Sequence, residues 1–131
     1  MTQPGGGLRP GCSACWPETA TAAWEARKAL VPGVELVDDS HFGIRLLGCP
    51  ACRQLFASVF VEDVDWVDGE DSQFWTMVPL AAEEAESLRR LEGAALVDRL
   101  GALGAARACL HRDYPKGSLP SVTWRPGVTR A

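Results

Sequence analysis

At 131 residues, with 47% hydrophobic and 23% charged side chains, the chain has the composition of one globular domain with a sizeable core. No stretch approaches the roughly 20 apolar residues that span a bilayer, and residues 1–7 contain no apolar run typical of a signal peptide. The five cysteines are an odd number, which argues against a fully paired secreted disulfide framework. We therefore expect a cytoplasmic protein without a membrane partner.

The formal net charge is −4, and the charged side chains are unevenly distributed. Residues 1–88 carry 14 acidic and five basic side chains, whereas residues 89–131 carry three acidic and eight basic ones. An acidic segment followed by a basic one indicates that the two parts pack together. The net negative charge argues against nucleic-acid binding, because phosphate contacts require a high density of cations.

The N-terminal half predicts one helix and two strands. Residues 1–11 are rich in Gly and Pro, and we expect them to be mobile. Apolar side chains at helical spacing predict a helix over about 18–30, which a Pro-Gly pair ends. Short strands are predicted at 34–37 and 41–47.

The C-terminal half predicts two further strands, at 55–61 and 73–78, and then helices. A helical region is predicted over about 81–112, because leucines there share helical spacing: Leu88, Leu96, Leu100, Leu103 and Leu110. An extended segment, 113–131, is expected to follow, with an edge strand at 121–125.

Two Cys-x-x-Cys pairs are the most informative motif of the chain: Cys12, Cys15, Cys49 and Cys52. Four thiols grouped two and two typically enclose one tetrahedral Zn²⁺ or, less often, iron. Such a site is closed, because sulfur occupies every coordination position and no substrate can bind the metal. The pairs therefore predict a structural zinc, and the 33 residues between them must contain a helix and strands. Cys109 lies outside both pairs and is expected to pack as a small apolar side chain.

A cluster of acidic residues follows the predicted strand at 55–61: Glu62, Asp63, Asp65, Asp68, Glu70 and Asp71. Six carboxylates cannot be buried without paired cations, so they predict a projecting turn. The turn is either a solvated hairpin tip or a docking surface for a basic partner. Trp66, Phe74 and Trp75 flank it, and core packing is expected for two of these three aromatic side chains.

The segment from Leu46 to about Leu88 resembles small bacterial zinc-ribbon proteins of uncharacterised function. The resemblance rests on a Cys-Pro-x-Cys knuckle, an aromatic strand, an acidic turn and the start of a helix: Cys49 to Cys52, Phe56 to Phe60, Asp68 to Asp71 and Pro79 to Ala85. It implies a structural zinc and no activity. This chain has Arg53 where many ribbons have Gly.

Together these patterns predict an α+β fold: a small antiparallel, zinc-ribbon-like sheet with one helix before it and helices after it. A single domain is expected over residues 12–131, with the ribbon core at about 34–80.

The leading hypothesis is a non-enzymatic module that binds a basic protein partner through Asp63, Asp65, Trp66, Asp68, Glu70 and Asp71. Inhibition of such a partner, or immunity towards it, is one version of this function. An alternative is a zinc ribbon that binds nucleic acid through the basic C-terminal third: Arg89, Arg90, Arg99, Arg107, Arg112, Lys116 and Arg125. A second alternative is a thiol oxidoreductase, which would need a helix directly after the Cys49–Cys52 motif.

Overall fold

One antiparallel sheet of six strands organises the protein, as described in a computed structural model for residues 10–128. Residues 1–9, most of the segment expected to be mobile, and residues 129–131 lie outside the described part. The elements in chain order are α1 (Ala20–Ala26) with a 3₁₀ turn (Arg27–Ala29), β1 (Val31–Asp39), β2 (Phe42–Gly48), β3 (Leu55–Asp63), β4 (Ser72–Leu80), α2 (Ala82–Arg89), α3 (Gly93–Ala105), β5 (Ala108–Tyr114) and β6 (Ser121–Pro126).

The strands lie side by side in the order in which they follow one another along the chain. Every neighbouring pair is antiparallel. Short connections join all of these pairs except β4 and β5, which are joined through α2 and α3. Because side chains alternate between the faces of a strand, Val59 and Val78 point to one face while Phe56 and Met77 point to the other. Both faces are therefore apolar at the centre of the sheet.

Helices α2 and α3 cover the first face. Four leucines from these helices are buried against Ile44, Val59 and Val78: Leu88, Leu96, Leu100 and Leu103. The start of α2 is fixed because the Glu84 Oε1 atom accepts a hydrogen bond from the Ala81 backbone N–H at 2.8 Å. The Arg107 guanidinium, just after α3, donates to both Glu84 carboxylate oxygens at 2.7 and 2.9 Å. This ion pair joins the end of α3 to the beginning of α2.

The segment before β1 covers the second face. Trp16, Ala23 and Leu30 are buried there against Phe56, Met77 and Leu110. The helix α1 is shorter than predicted because Thr19 is its N-cap and accepts a hydrogen bond from the Ala22 N–H at 3.1 Å. The predicted helix at 18–30 is thus an α-helix followed by a single 3₁₀ turn.

The helical region predicted to reach residue 112 ends at Ala105, and residues 108–114 form β5. Leu110 and Cys109 therefore lie on a strand, where both are buried, and the helical stripe predicted through Leu110 is wrong. β5 pairs with β4 on one side and β6 on the other, so its backbone groups are satisfied by the sheet. The predicted strand at 121–125 is confirmed as β6, at the edge of the sheet.

His111 on β5 shows how completely this strand is enclosed. The side chain is 1% exposed, and burial lowers its pKa. Its Nε2 atom donates to the Gly127 carbonyl at 2.9 Å, so Nδ1 accepts from the Thr76 hydroxyl at 3.3 Å. A buried neutral imidazole with both nitrogens bonded in this way has a structural role.

The α+β class is confirmed by the antiparallel sheet and its three helices. The structure adds β5 and β6 to the four strands that the ribbon core was expected to contain. Within residues 10–128, no helix has the length and apolar character needed to cross a membrane.

Replacing Leu100 with Ala tests the packing of α3 on the sheet. Leu100 is 2% exposed, so Leu100→Ala should lower the free energy of unfolding by about 2–5 kcal/mol through lost contacts and a cavity. Leu119→Ala is the control, since Leu119 is 87% exposed, and it should change that free energy by less than about 0.5 kcal/mol. Denaturant titration measures both. Equal effects would contradict the packing described here.

Candidate metal centre

Four cysteines from two separate turns meet at one end of the sheet. Cys12 and Cys15 lie just before α1, and Cys49 and Cys52 lie in the connection between β2 and β3. All four sulfur atoms lie within 4.8 Å of one another. The Sγ–Sγ distances are 4.0 Å for Cys12–Cys15, 3.9 Å for Cys12–Cys49 and 3.8 Å for Cys15–Cys52. The structure thus brings together the four cysteines predicted to act as ligands, in an arrangement that can hold a metal ion.

The size of this sulfur cluster suits a single tetrahedral ion. Thiolate sulfurs at about 2.3 Å from a zinc ion form a tetrahedron whose edges are about 3.8 Å long. The three sulfur separations given above, 3.8 to 4.0 Å, are close to that edge. The donor set is purely thiolate, which is suited to Zn²⁺ and to iron.

Each cysteine pair is held by a backbone turn. In the first, the N–H groups of Cys15 and Trp16 donate to the Cys12 carbonyl at 3.2 and 2.8 Å. In the second, the Arg53 N–H donates to the Cys49 carbonyl at 2.9 Å. These hydrogen bonds orient both thiols of a pair towards the same point before any ion binds.

The thiols differ in how readily they ionise. Backbone N–H groups of Cys15 and Ala14 lower the pKa of Cys12 to about 7. Burial raises the pKa of Cys15 to about 12. A bound cation would supply the positive charge that lets the buried Cys15 thiol ionise together with its neighbours.

Gln54, which the sequence did not single out, joins both turns to the sheet. Its Oε1 atom accepts from the Gly11 N–H at 3.0 Å, next to the first cysteine pair. Its Nε2 atom donates to the carbonyls of Leu55 and Leu80, each at 2.9 Å. One amide therefore links the first turn, the start of β3 and the end of β4. Groups that support ligands in this way orient metal sites and affect their affinity.

Two backbone positions in the turns are in the left-handed region. Arg53 has a φ of 69°, a conformation that favours Gly. Gly11 has a φ of 68°, and a Cβ atom there would lie 2.4 Å from the Cys15 sulfur. The turn thus tolerates a side chain at residue 53, whereas residue 11 must be Gly to leave room for a ligand.

Trp16 anchors the first cysteine pair on the sheet. Its ring stacks on Phe56, with centroids 5.3 Å apart, and packs against Trp124 at 4.6 Å. The Trp124 indole N–H also donates to the Glu18 carbonyl at 3.3 Å. The sequence predicted a helix start here and missed this contact, because β3 and β6 are distant in the chain.

Five of the six residues predicted to bind a partner lie at the other end of β3, in the connection between β3 and β4 (residues 64–71, the acidic loop), and the sixth, Asp63, is the last residue of β3. β3 has nine residues, which at about 3.3 Å each places the acidic loop about 26 Å from the cysteines. The Asp65 Oδ1 atom accepts from the N–H groups of Val67 and Asp68, each at 3.0 Å. The Asp71 Oδ1 atom accepts from the Asp65 N–H at 2.8 Å. The acidic loop is thus folded by its own carboxylates.

Lys116, from the connection between β5 and β6, binds the acidic loop. Its ammonium group pairs with Asp65 at 2.5 Å and with Asp68 at 3.0 Å. The backbone N–H of Asp68 and the Lys116 ammonium lower the pKa of Asp65 to about 2. The same carboxylates raise the pKa of Lys116. Part of the negative charge of the loop is therefore neutralised within the protein.

Two apolar side chains project from this loop into solvent. Trp66 is 86% exposed and Val67 is 89% exposed. Phe74 and Trp75, the other aromatic residues near the turn, are half-buried on β4. The expectation that two of the three aromatics pack against the protein agrees with this arrangement, and Trp66 is the one that does not.

The basic C-terminal third does not form a continuous cationic surface. Arg89 and Arg90 lie 3.9 and 4.0 Å from Glu86, and Arg125 pairs with Asp113 at 2.8 Å. Arg107 and Lys116 are also engaged in the ion pairs described above. Of the seven basic residues considered for nucleic-acid binding, only Arg99 and Arg112 have no ion pair with any residue between 10 and 128.

Two Gly→Ala substitutions test the close approach of Gly11 to the cysteines. Gly11→Ala should lower metal affinity and thermal stability together, because its methyl group would displace the Cys15 sulfur and the backbone would be strained. Gly101→Ala, the control, adds the same methyl group on α3 where no atom lies within 4 Å. It should leave metal affinity unchanged and stabilise the helix by about 0.5–1 kcal/mol. Competition with a chromophoric chelator and thermal melts measure both, and normal metal affinity in Gly11→Ala would contradict the steric argument.

In comparisons with known proteins, no family model, no curated sequence and no solved structure matches this chain. The resemblance to zinc-ribbon proteins therefore stays an expectation from the residues around Cys49–Cys52. The site is defined by its own geometry: four converging thiols at one end of β3 and an ordered acidic loop at the other.

Proposed function

We propose that this protein is a non-enzymatic module, stabilised by one structural zinc, that binds a basic protein partner through the acidic loop. The four-sulfur cluster supports the structural part of this proposal, because a metal with four protein ligands has no open position for a substrate. The all-thiolate donor set and the sulfur spacing suit Zn²⁺ and also iron, and of these we propose Zn²⁺ because it is the usual ion of closed structural Cys₄ sites. The bound ion would join the segment before α1 to the connection between β2 and β3.

The exposure of Trp66 on a folded loop carries the binding part of the proposal. An indole that is 86% exposed costs solvation free energy unless a partner covers it, and Trp is strongly enriched among residues that dominate protein–protein affinity. Hydrogen bonds of Asp65 and Asp71 and the Lys116 ion pair hold the loop in shape. A partner would therefore bind a preformed tip without ordering it first, which favours affinity.

The surroundings of the tip indicate a basic partner. A cavity of about 430 Å³ separates the acidic loop from the connection between β5 and β6. It is lined by the carboxyl-bearing residues Glu70 and Asp71, by Lys116, and by Tyr114 and Leu119. The Lys116 ammonium is already paired with Asp65 and Asp68. An arginine or lysine side chain of a partner can therefore pack its alkyl stem on the rings and apolar atoms while its head meets Glu70 and Asp71. Inhibition of a basic partner, or immunity towards it, is the version of this function that we favour.

The redox alternative is not favoured by the arrangement of the second cysteine pair. A disulfide oxidoreductase needs a helix after its Cys-x-x-Cys motif, because the helix N-terminus stabilises the reactive thiolate. Here the motif leads into β3.

The metal prediction is that the purified protein holds one zinc ion per chain. Cys49→Ser should lower zinc content and melting temperature together, because structural zinc in small domains contributes about 10–16 kcal/mol of apparent folding free energy. Cys109→Ser removes a thiol that is buried elsewhere and should retain the ion. Elemental analysis and thermal melts provide the readouts. A wild-type protein without zinc, or equal zinc loss in both variants, would contradict the proposed site.

The binding prediction concerns the acidic loop. Trp66→Ala should weaken partner capture at least tenfold, as expected for a central anchor, while zinc content and melting temperature stay unchanged. A triple variant (Asp68→Asn, Glu70→Gln, Asp71→Asn) spares Asp65, which folds the loop. It should weaken capture most at low salt, where charges are least screened. Quantitative pull-downs from the native host give the comparison.

A second triple variant controls for the change in net charge. It neutralises three exposed acidic residues on or beside α2 and α3: Glu83, Glu92 and Asp98. Capture by this variant should match wild type. If it weakens capture as much as the loop variant does, overall charge and not the acidic loop determines binding. If Trp66→Ala captures the same partners as wild type, the loop is only solvated surface.

A further inference from the structure

A group of aromatic and arginine side chains lies on the α1 side of the sheet, beyond the part that α1 covers. We call it the aromatic–arginine face, and it consists of Trp24, Arg27, Phe60, Trp75, Arg112 and Tyr114. Phe60 on β3 pairs with Trp75 on β4, which pairs with Arg112 on β5, so three neighbouring strands contribute to it. Phe60 and Trp75 are half-buried and belong to neither apolar cluster of the core.

The rings of this face are in contact with one another and with the guanidinium groups. The ring of Trp75 lies 4.8 Å from that of Phe60 and 5.5 Å from that of Trp24, measured between centroids. The guanidinium carbon of Arg112 lies 5.2 Å from the Trp75 centroid and 5.5 Å from that of Tyr114. Planar groups on adjacent strands, partly open to solvent, form a surface on which other planar groups can stack.

Two positive charges on this face have no carboxylate partner. Arg27 and Arg112 both lie against Trp24, at 3.6 and 5.2 Å from its ring centroid. Neither forms an ion pair with another residue in the part of the chain that the structure describes. Burial, and then repulsion from Arg112, lower the pKa of Arg27. An anion placed between the two guanidiniums would relieve this repulsion.

The nearby carboxylates are engaged elsewhere. Glu25 pairs with Lys28 at 3.0 Å, and Glu35 pairs with Arg45 at 2.7 Å. Glu62 accepts hydrogen bonds from His41 and Gln73, each at 3.1 Å. The carboxylates of Glu70 and Asp71 lie at the Tyr114 edge of the face. The positive charge of the face is concentrated around Trp24, where the Arg27 and Arg112 guanidiniums lie, on a protein whose net charge is −4.

We propose that the aromatic–arginine face binds single-stranded nucleic acid, whose bases stack on Trp75, Tyr114 and the Arg112 guanidinium while its phosphates pair with Arg27 and Arg112. The proposal does not depend on the function proposed for the acidic loop, although the two surfaces meet at Tyr114, which also lines the cavity beside Glu70 and Asp71. Sequence-tolerant binding of single strands uses the same two elements, aromatic stacking and cationic contacts to the backbone. A duplex fits poorly because its bases are already stacked on one another inside the helix. An acidic peptide would supply negative charge but no planar rings that could stack on the face.

The dimensions of the face set the size and strength of the interaction. The strands β3 to β5 lie about 4.8 Å apart, so the face is about 10 Å wide and accommodates two or three nucleotides. Two phosphate contacts give a slope of about −1.4 in a plot of log affinity against log salt for a single strand. We therefore expect weak binding that involves only a few nucleotides and is moderately sensitive to salt.

The experiment is a fluorescence anisotropy titration of a fluorescein-labelled oligothymidylate of about ten nucleotides with zinc-loaded protein, from about 20 to 200 mM salt. Saturable binding with the slope given above is expected. Arg27→Gln and Arg112→Gln should each reduce that slope by about 0.7. Tyr114→Ala should weaken binding about fivefold or more by removing a stacking ring. Tyr114 is 42% exposed, so this variant is expected to fold.

Arg99→Gln is the matched control, because Arg99 is exposed on α3, on the other side of the sheet. It should leave binding unchanged, as should Trp66→Ala, which separates this proposal from the one for the acidic loop. The proposal is overturned if no saturable binding occurs at about 20 mM salt. It is also overturned if a duplex of equal length or polyglutamate binds as tightly as the single strand, or if Arg99→Gln weakens binding as much as Arg112→Gln.

Discussion

The convergence of four thiols is the constraint on which the α1 side of the sheet depends. Cys12 and Cys15 belong to a segment with no strand of its own, and this segment reaches the sheet only through the cysteine turns, Trp16 and α1. With a divalent ion bound, the first turn would be fixed to the connection between β2 and β3. Trp16 would then be held on Phe56, and α1 on β5 and β6. Without such an ion, the first cysteine turn would be held on the sheet by the hydrogen bond from Gly11 to Gln54 and by the stacking of Trp16 on Phe56.

The proposed metal site and the loop proposed to bind a partner lie at opposite ends of β3. The thiol cluster, Gln54 and the buried aromatic rings lie at one end, whereas the acidic loop and Lys116 lie at the other. A change of charge in the loop is therefore expected to leave the proposed metal site unaffected. This arrangement lets the loop vary in sequence while the rest of the domain stays folded.

The sequence predicted the elements whose signals are local. The four cysteines, the strands β2 to β4 and the acidic turn follow from motif spacing, β-branched and aromatic runs and charge. β5 was misjudged because both of its faces are buried, so Cys109, Leu110 and His111 form a continuous apolar run without alternation. The contacts of Gln54 with Leu80, of Trp16 with Phe56 and of Lys116 with Asp68 were missed because each joins residues 26 or more positions apart in the chain. No local pattern records such contacts.

The consecutive strand order has a consequence for how the chain folds. Each strand pairs with the strand that follows it, and four of the five pairs are joined directly, whereas α2 and α3 lie between β4 and β5. The directly joined pairs can form as hairpins with small loop-closure costs. The hairpin of β2 and β3 carries Cys49 and Cys52 in its turn, and it presents two thiols as soon as it closes. Cys12 and Cys15 must arrive across 37 residues, the sequence separation between the two pairs. We therefore expect metal capture in two stages, in which the hairpin holds the ion first and the N-terminal segment completes the coordination shell last.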